Sequence, residues 1–218
     1  MRRHITYVCT LGFLLAVPLP VLSQAAPVTI PLTTTEKAGL PEGFSAARTG
    51  KGAAAEWKVV EDNTVPGGRV LAQTSTDRTD YRFPLAIYQG ASATNVAVTV
   101  RFKAVAGEVD RAAGIAVRLA DADNYYIVRA NALEDNVNFY RVVQGSRREI
   151  KGAAVKVTAG EWHTLGLRAA GNRFAISFDV KELFTTSDET FKGAGRVALW
   201  TKADSVTRFD ALTIETLP

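Results

Sequence analysis

The chain has 218 residues, with 26 basic and 22 acidic side chains, two histidines and a single cysteine. This length suits one domain whose core needs no covalent staples. The net charge of +4 is scattered along the sequence, which excludes a concentrated nucleic-acid patch, and the lone cysteine excludes a disulfide framework.

Met1-Arg2-Arg3-His4 precede a mostly apolar run from Ile5 to Leu22, closed by Ser23-Gln24-Ala25. That order of charged, apolar and small residues is the pattern of a secretory signal peptide. Cleavage is expected after Ala25, because Pro27 disfavours the next position. Pro18 and Pro20 interrupt the run, which also falls short of the roughly 20 apolar residues of a membrane span. Without Arg2 and Arg3 the 26 basic residues fall to 24 against 22 acidic, a net charge of +2, and Cys9 leaves with the leader. The expected setting is therefore export to a bacterial periplasm or the medium, with no membrane span after cleavage.

Residues 26–55 are rich in Thr, Ala, Gly and Pro, and read as an N-terminal segment that crosses the domain once, with Phe44 as an anchor. Gly50-Lys51-Gly52-Ala53-Ala54-Ala55 mimics a dinucleotide fingerprint but lacks the buried strand that the mechanism needs before it, and is read as chance. Residues 56–218 form the domain. Period-two patterning predicts strands at Trp57–Glu61, Arg69–Gln73, Phe83–Tyr88, Asn95–Ala104, Ala113–Leu119 and Tyr125–Ala130. It predicts further strands at Val137–Val143, Thr164–Ala169, Arg173–Val180, Gly195–Trp200 and Thr207–Glu215. Turn chemistry separates them at Pro66-Gly67-Gly68, Asp121–Asn124, Gln144-Gly145-Ser146, Ala170-Gly171-Asn172 and Lys192-Gly193-Ala194. Val180–Thr185 is the best candidate for a helical turn. The fold class is all-β, an antiparallel two-sheet jelly-roll sandwich.

Asp121-Ala122-Asp123-Asn124-Tyr125-Tyr126 and the run from Val128 to Val137 resemble the central hairpins of the concanavalin A-like lectin/glucanase superfamily. Gly160-Glu161-Trp162-His163-Thr164-Leu165, Gly171-Asn172-Arg173-Phe174 and Gly193 to Ser205 with Phe209-Asp210 extend the likeness. More narrowly, the chain resembles bacterial exported domains of the 3-keto-disaccharide hydrolase-like and laminin G-like kinds. The likeness spans residues 95–215. It implies a concave sheet that binds sugars, and a structural calcium at Asp210 held with carbonyls of the N-terminal segment.

Glucanases of this superfamily carry a Glu-x-Asp-x-x-Glu set of carboxylates. Glu108-Val109-Asp110-Arg111-Ala112-Ala113 comes nearest, but Ala113 stands where the last carboxylate belongs, which argues against that chemistry. His163 alone remains for a triad, no G-x-S-x-G elbow exists, and one histidine without cysteine excludes an ordinary zinc site. His163 reads as a partly exposed structural imidazole. Asp121, Asp123 and Asn124 read as a turn whose side chains cap their own backbone. Trp57 and Trp162 read as core.

The remaining chemistry is a binding face. With Ile115, Val117 and Leu119 turned to the core, Arg118 points outward, Arg129 sits one strand over, and Asn138 alternates with Tyr140. Arg118, Arg129, Asn131, Tyr140, Trp200 and Lys202 are the expected ligand-binding residues. The expected function is glycan recognition without a complete glucanase site. Two alternatives stand beside it. One is a 3-keto-glycoside-cleaving enzyme with His163, Glu134 or Asp135 as base. The other is a structural or adhesion domain of the envelope.

Overall fold

The computed structural model describes residues 1, 26–33 and 39–218. Apart from Met1, the leader expected over residues 1–25 lies outside the described residues. Among the described residues, no helix is long and apolar enough to cross a membrane. The strands form two antiparallel sheets. The large sheet contains β1 (Val28–Ile30), β3 (Trp57–Glu61), β4 (Arg69–Gln73), β6 (Val96–Ala106), β11 (Trp162–Ala170), β12 (Arg173–Phe178), β13 (Lys181–Ser187) and β15 (Val206–Thr216). The small sheet contains β2 (Phe44–Gly50), β5 (Arg82–Ala93), β7 (Ala112–Asp121), β8 (Asn124–Asn131), β9 (Asn136–Val143), β10 (Ser146–Ala154) and β14 (Gly195–Trp200).

The large sheet runs β13-β12-β11-β6-β15-β4-β3 with β1 beside β15, and the small sheet runs β10-β9-β8-β7-β14-β5-β2. Alternation builds the core between them. Val96, Val98, Val100 and Phe102 of β6 meet Tyr126, Val128 and Ala130 of β8 and Val137 and Phe139 of β9 in one buried cluster. Tyr126, Phe139 and Phe174 form its aromatic centre, with ring centroids 4.6 to 5.6 Å apart. Each such ring contributes on the order of 1.5–3 kcal/mol by leaving water.

Residues 26–55, expected to cross the domain once, instead supply one strand to each sheet. β1 pairs with β15, and β2 pairs with β5. The Phe44 ring does anchor the segment, 5.2 Å from Tyr88. Gly50–Ala55 leaves β2 as a loop, and the Ala53 and Ala54 carbonyls accept hydrogen bonds from buried Arg82. The helical turn expected at Val180–Thr185 is β13. The hairpin before it turns at Asp179 and Val180, both with positive φ (46° and 68°). The β9–β10 hairpin turns at Gln144 and Gly145, again both positive (49° and 75°).

Trp57 packs in the core, its ring 5.8 Å from Phe209. Trp162 does not. It lies on the outer face of the large sheet, where Arg101 and Lys103 sit 5.1 and 4.7 Å from its ring and its Nε1 donates to Thr64 Oγ1. Beside it, buried Asp62 takes Lys103 at 2.7 Å and Arg208 at 2.8 Å. Burial alone would raise this carboxyl's pKa, but hydrogen bonds from Lys103, Thr64 and Arg208 outweigh it and hold the group far below the usual range. His163 is buried rather than partly exposed. Its Nδ1 lies 2.8 Å from Asp179 Oδ2, its Nε2 lies 3.1 Å from the Thr158 carbonyl, and it stacks on Phe178 at 4.9 Å. Every polar atom of the ring is used structurally.

Candidate functional site

The face of the small sheet turned away from the core carries a second buried cluster. It includes Phe83, Leu85 and Ile87 of β5, Ala116 of β7, Tyr125 and Ile127 of β8, Tyr140 and Val142 of β9, and Trp200 of β14. The sheet curls over this face, because hydrogen bonds join strands that are not neighbours. Thr49 Oγ1 of β2 lies 2.7 Å from Tyr125 OH of β8. Tyr81 OH donates to the Gly145 carbonyl at 3.0 Å and accepts from the Arg147 amide at 2.6 Å, tying the entry of β5 to the β9–β10 turn. Trp200 Nε1 donates to Tyr125 OH, and burial raises the Tyr125 pKa, so this phenol stays neutral.

Five of the six expected ligand-binding residues meet on this face. Arg129, Asn131, Tyr140 and Trp200 are buried there. Lys202, just past β14, joins them through Asp110, at 2.9 Å. Asp110 is the hub: its Oδ1 accepts from Asn131 Nδ2 at 3.0 Å and its Oδ2 lies 3.9 Å from Arg129. Burial raises the Asp110 pKa, and Lys202 and Arg129 oppose that rise. Arg129 also holds Glu134 at 2.6 Å. Burial would raise the Glu134 pKa, but hydrogen bonds from Asn136 and Arg129 bring it below the ordinary value. These groups are packed against one another, so the expected open groove is an interior. What faces solvent is its rim. Glu134, Glu149, Asp80 and Tyr81 are exposed, and Asn138 is half-buried between Tyr140 OH (3.1 Å) and Glu149 (2.9 Å).

The sixth residue, Arg118, is elsewhere. β7 pairs regularly with β8 up to Val117, then its register slips before Asp121, and Arg118 sits in the slip with φ 49°. Leu119 thereby falls in the outer cluster while Ile115 and Val117 stay in the core. Arg118 is buried on the core side, its guanidinium 5.2 Å from the Phe174 ring. Its side chain donates to the carbonyls of Thr94 (2.8 Å), Phe191 (2.8 Å) and Gly171 (2.5 Å).

The calcium expected at Asp210 does not fit the residues present. Arg101 Nη1 lies 2.9 Å from Asp210 Oδ2, and among the described residues no group of three potential metal-binding side chains occurs. A guanidinium therefore holds the carboxylate that a cation would need. Asp121 Oδ1 accepts from the Asp123 amide at 2.7 Å and from Asn124 Nδ2 at 2.9 Å, the self-capping turn read from sequence. The glucanase-like segment is divided. Exposed Glu108 pairs with Arg78, and Asp110 turns inward.

Sequence reasoning missed Arg147. It lies on β10 opposite Val142, on the outer face, with its guanidinium 4.6 Å from Tyr140, 4.9 Å from Phe83 and 5.8 Å from Trp200. It caps the aromatic floor that a sugar would otherwise stack on. The available signal was the polar run Ser146 to Glu149, which reads as the end of a turn because β10 has little apolar alternation.

The family model described as "Galactocerebrosidase, C-terminal lectin domain" matches residues 79–217. No curated protein matches the chain. Among solved structures, a carbohydrate binding module of Bacillus subtilis, CBM66, superposes with a TM-score of 0.62 at 20% identity, over 80% of this chain and 96% of that one. A Bacillus subtilis protein of unknown function with a galectin-like fold gives 0.63 at 8% identity, over 89% and 97%. A Bacillus licheniformis β-glucanase gives 0.58 at 11% identity, over 89% and 99%. These likenesses establish the jelly-roll sandwich.

Proposed function

The chain belongs to the galactocerebrosidase C-terminal lectin domain family, and on that premise we propose that it binds glycans through the rim of the small sheet. The observation that carries the reading is the row of planar polar groups along β8, β9 and β10. Glu134 and Asn136 lie on one side of Arg129, and Asn138 bridges Tyr140 and Glu149. Carboxylate, amide and phenol groups at a solvent edge suit sugar hydroxyls, which both donate and accept. The CBM66 and galectin-like neighbours support the same reading. Hydrolysis is disfavoured because Asp110 and Glu134, the carboxylates on this face nearest Arg129, are committed to it. The signal-like run before Ala25 supports an exported setting for this role.

Titration of the protein against an array of neutral and acidic oligosaccharides tests this. Binding should fall about tenfold in Asn138→Ala and less in Glu134→Gln, which keeps the shape of the side chain. Absence of binding across the array, or affinity untouched by both substitutions, overturns it.

A further inference from the structure

The Arg147 guanidinium has no hydrogen bond and no carboxylate within ion-pair distance among the described residues, and its Nη1 is a buried donor without a partner. The nearby carboxylates on its face are already engaged, Asp80 by Lys202 and Glu149 by Asn138. A cation stacked on three rings keeps the edge of its planar fork free for an oxyanion. Its surroundings share its sign. Two depressions of about 630 and 500 Å³ flank the β9–β10 turn and have Gln144 and Ser146 in common. Arg48 and Lys51 line the first, with Asp123 as its one acidic group. Arg141 and Arg148 line the second, which lies on the opposite face of the hairpin from Arg147. Arg141 is neutralised by Asp188 at 2.6 Å, whereas Arg48 and Lys51, beside Tyr81 and Gly145, have no ion pair among the described residues.

We propose that the β9–β10 turn is an anion subsite, in which Arg147 receives a carboxylate of a uronate-bearing glycan and Arg48 and Lys51 supply the field around it. This rests on the glycan-binding reading and deepens it. Asn138 and Arg147 lie on the same hairpin, so a ligand seated at Asn138 and extended along the strands reaches the turn. Arg147 then selects among glycans that the rim can hold.

The test compares trigalacturonate, its carboxyl-reduced neutral counterpart and a single-stranded DNA oligonucleotide of equal charge. Each is titrated against the wild type, Arg147→Met, Arg147→Lys and Lys51→Gln, with circular dichroism confirming the fold of each variant. The wild type is expected to prefer trigalacturonate to the reduced sugar by about tenfold, the effect of one charge-assisted fork. Arg147→Met should abolish the preference while leaving neutral binding intact, and Arg147→Lys should restore only part of it. Lys51→Gln, at an exposed position, should reduce the preference even if Arg147→Met fails to fold. Equal wild-type affinity for acidic and neutral sugars, or a preference unchanged in Arg147→Met and Lys51→Gln, overturns the subsite and leaves the glycan-binding reading standing. DNA binding as tight as trigalacturonate overturns the subsite in favour of bare charge. Failure of both sugars to bind overturns the subsite, and the glycan-binding reading is then decided by the oligosaccharide array.

Discussion

Arg118 shows how far one side chain can depart from the role its neighbours suggest. Its period-two position says surface, yet it is 3% exposed and pins three separate segments by their carbonyls. Burial lowers its pKa, the direction expected when a cation leaves water without a carboxylate beside it. Arg118→Met keeps the stem and removes the donors, leaving three carbonyls short of a partner. It should cost about 3 kcal/mol, seen as a lower urea midpoint, with glycan binding unchanged. A variant as stable as the wild type would show that water replaces the guanidinium at no cost. Asn131 and Lys202 behaved differently. Their positions on the outer face were legible, because β8, and β14 from Val197 onward, alternate regularly. Their burial was not, because it depends on Asp110, which lies in a loop whose path no periodicity encodes.

At the scale of elements, the same displacement has a visible cause. β7 and β14 both shift register near Arg118, and Gly195 faces the slip. A methyl group at Gly195 would lie 2.3 Å from the Arg118 carbonyl carbon and 2.6 Å from the Leu119 amide nitrogen. Both neighbours are backbone and cannot swing aside. Gly195→Ala should therefore destabilise by about 2 kcal/mol or more, measured as a fall in denaturant midpoint at constant slope. Tolerance of alanine there would mean that the bulge is soft. Strands with apolar alternation, such as β8, β9 and β11, were readable from sequence. β10 and β13 were not, since each pairs on only one side and exposes most of its residues to water. β1 and β2 were hidden for a related reason. They are short or small-residued strands whose pairing is decided by partners far along the chain.

For the whole molecule, the carboxylates set the response to pH. Backbone donors of Glu108, Val109 and Asp110 hold Asp204 below its ordinary pKa against the rise from burial, and hydrogen bonds from Ala53 and Thr79 bring Asp77 to about 2. With Asp62 and Asp188 also lowered, these groups stabilise the fold above the unfolded carboxylate pKa of about 4. That stability is lost as pH falls through their folded values. Asp110, raised by burial, works in the opposite direction and offsets part of the loss. The urea midpoint should stay level from pH 7 to pH 5 and drop below about pH 4, and a midpoint that rises on acidification would contradict this. The two-sheet plan was legible because it needs only strand count and turn spacing, whereas the filled outer face depends on contacts between strands four or five places apart in the sheet. Position within the sheet also governs assembly. β15, the last strand, stands in the middle of the large sheet between β6 and β4 and receives β1 as well. Two parts of that sheet, one from the first third of the sequence and one from its middle, stay apart until residues 206–216 have been synthesised. The small sheet is likewise divided between β7 and β5 until β14 at residues 195–200 joins them, so neither sheet closes early, and the emergence of residues 195–216 becomes the step that commits the protein to its native state.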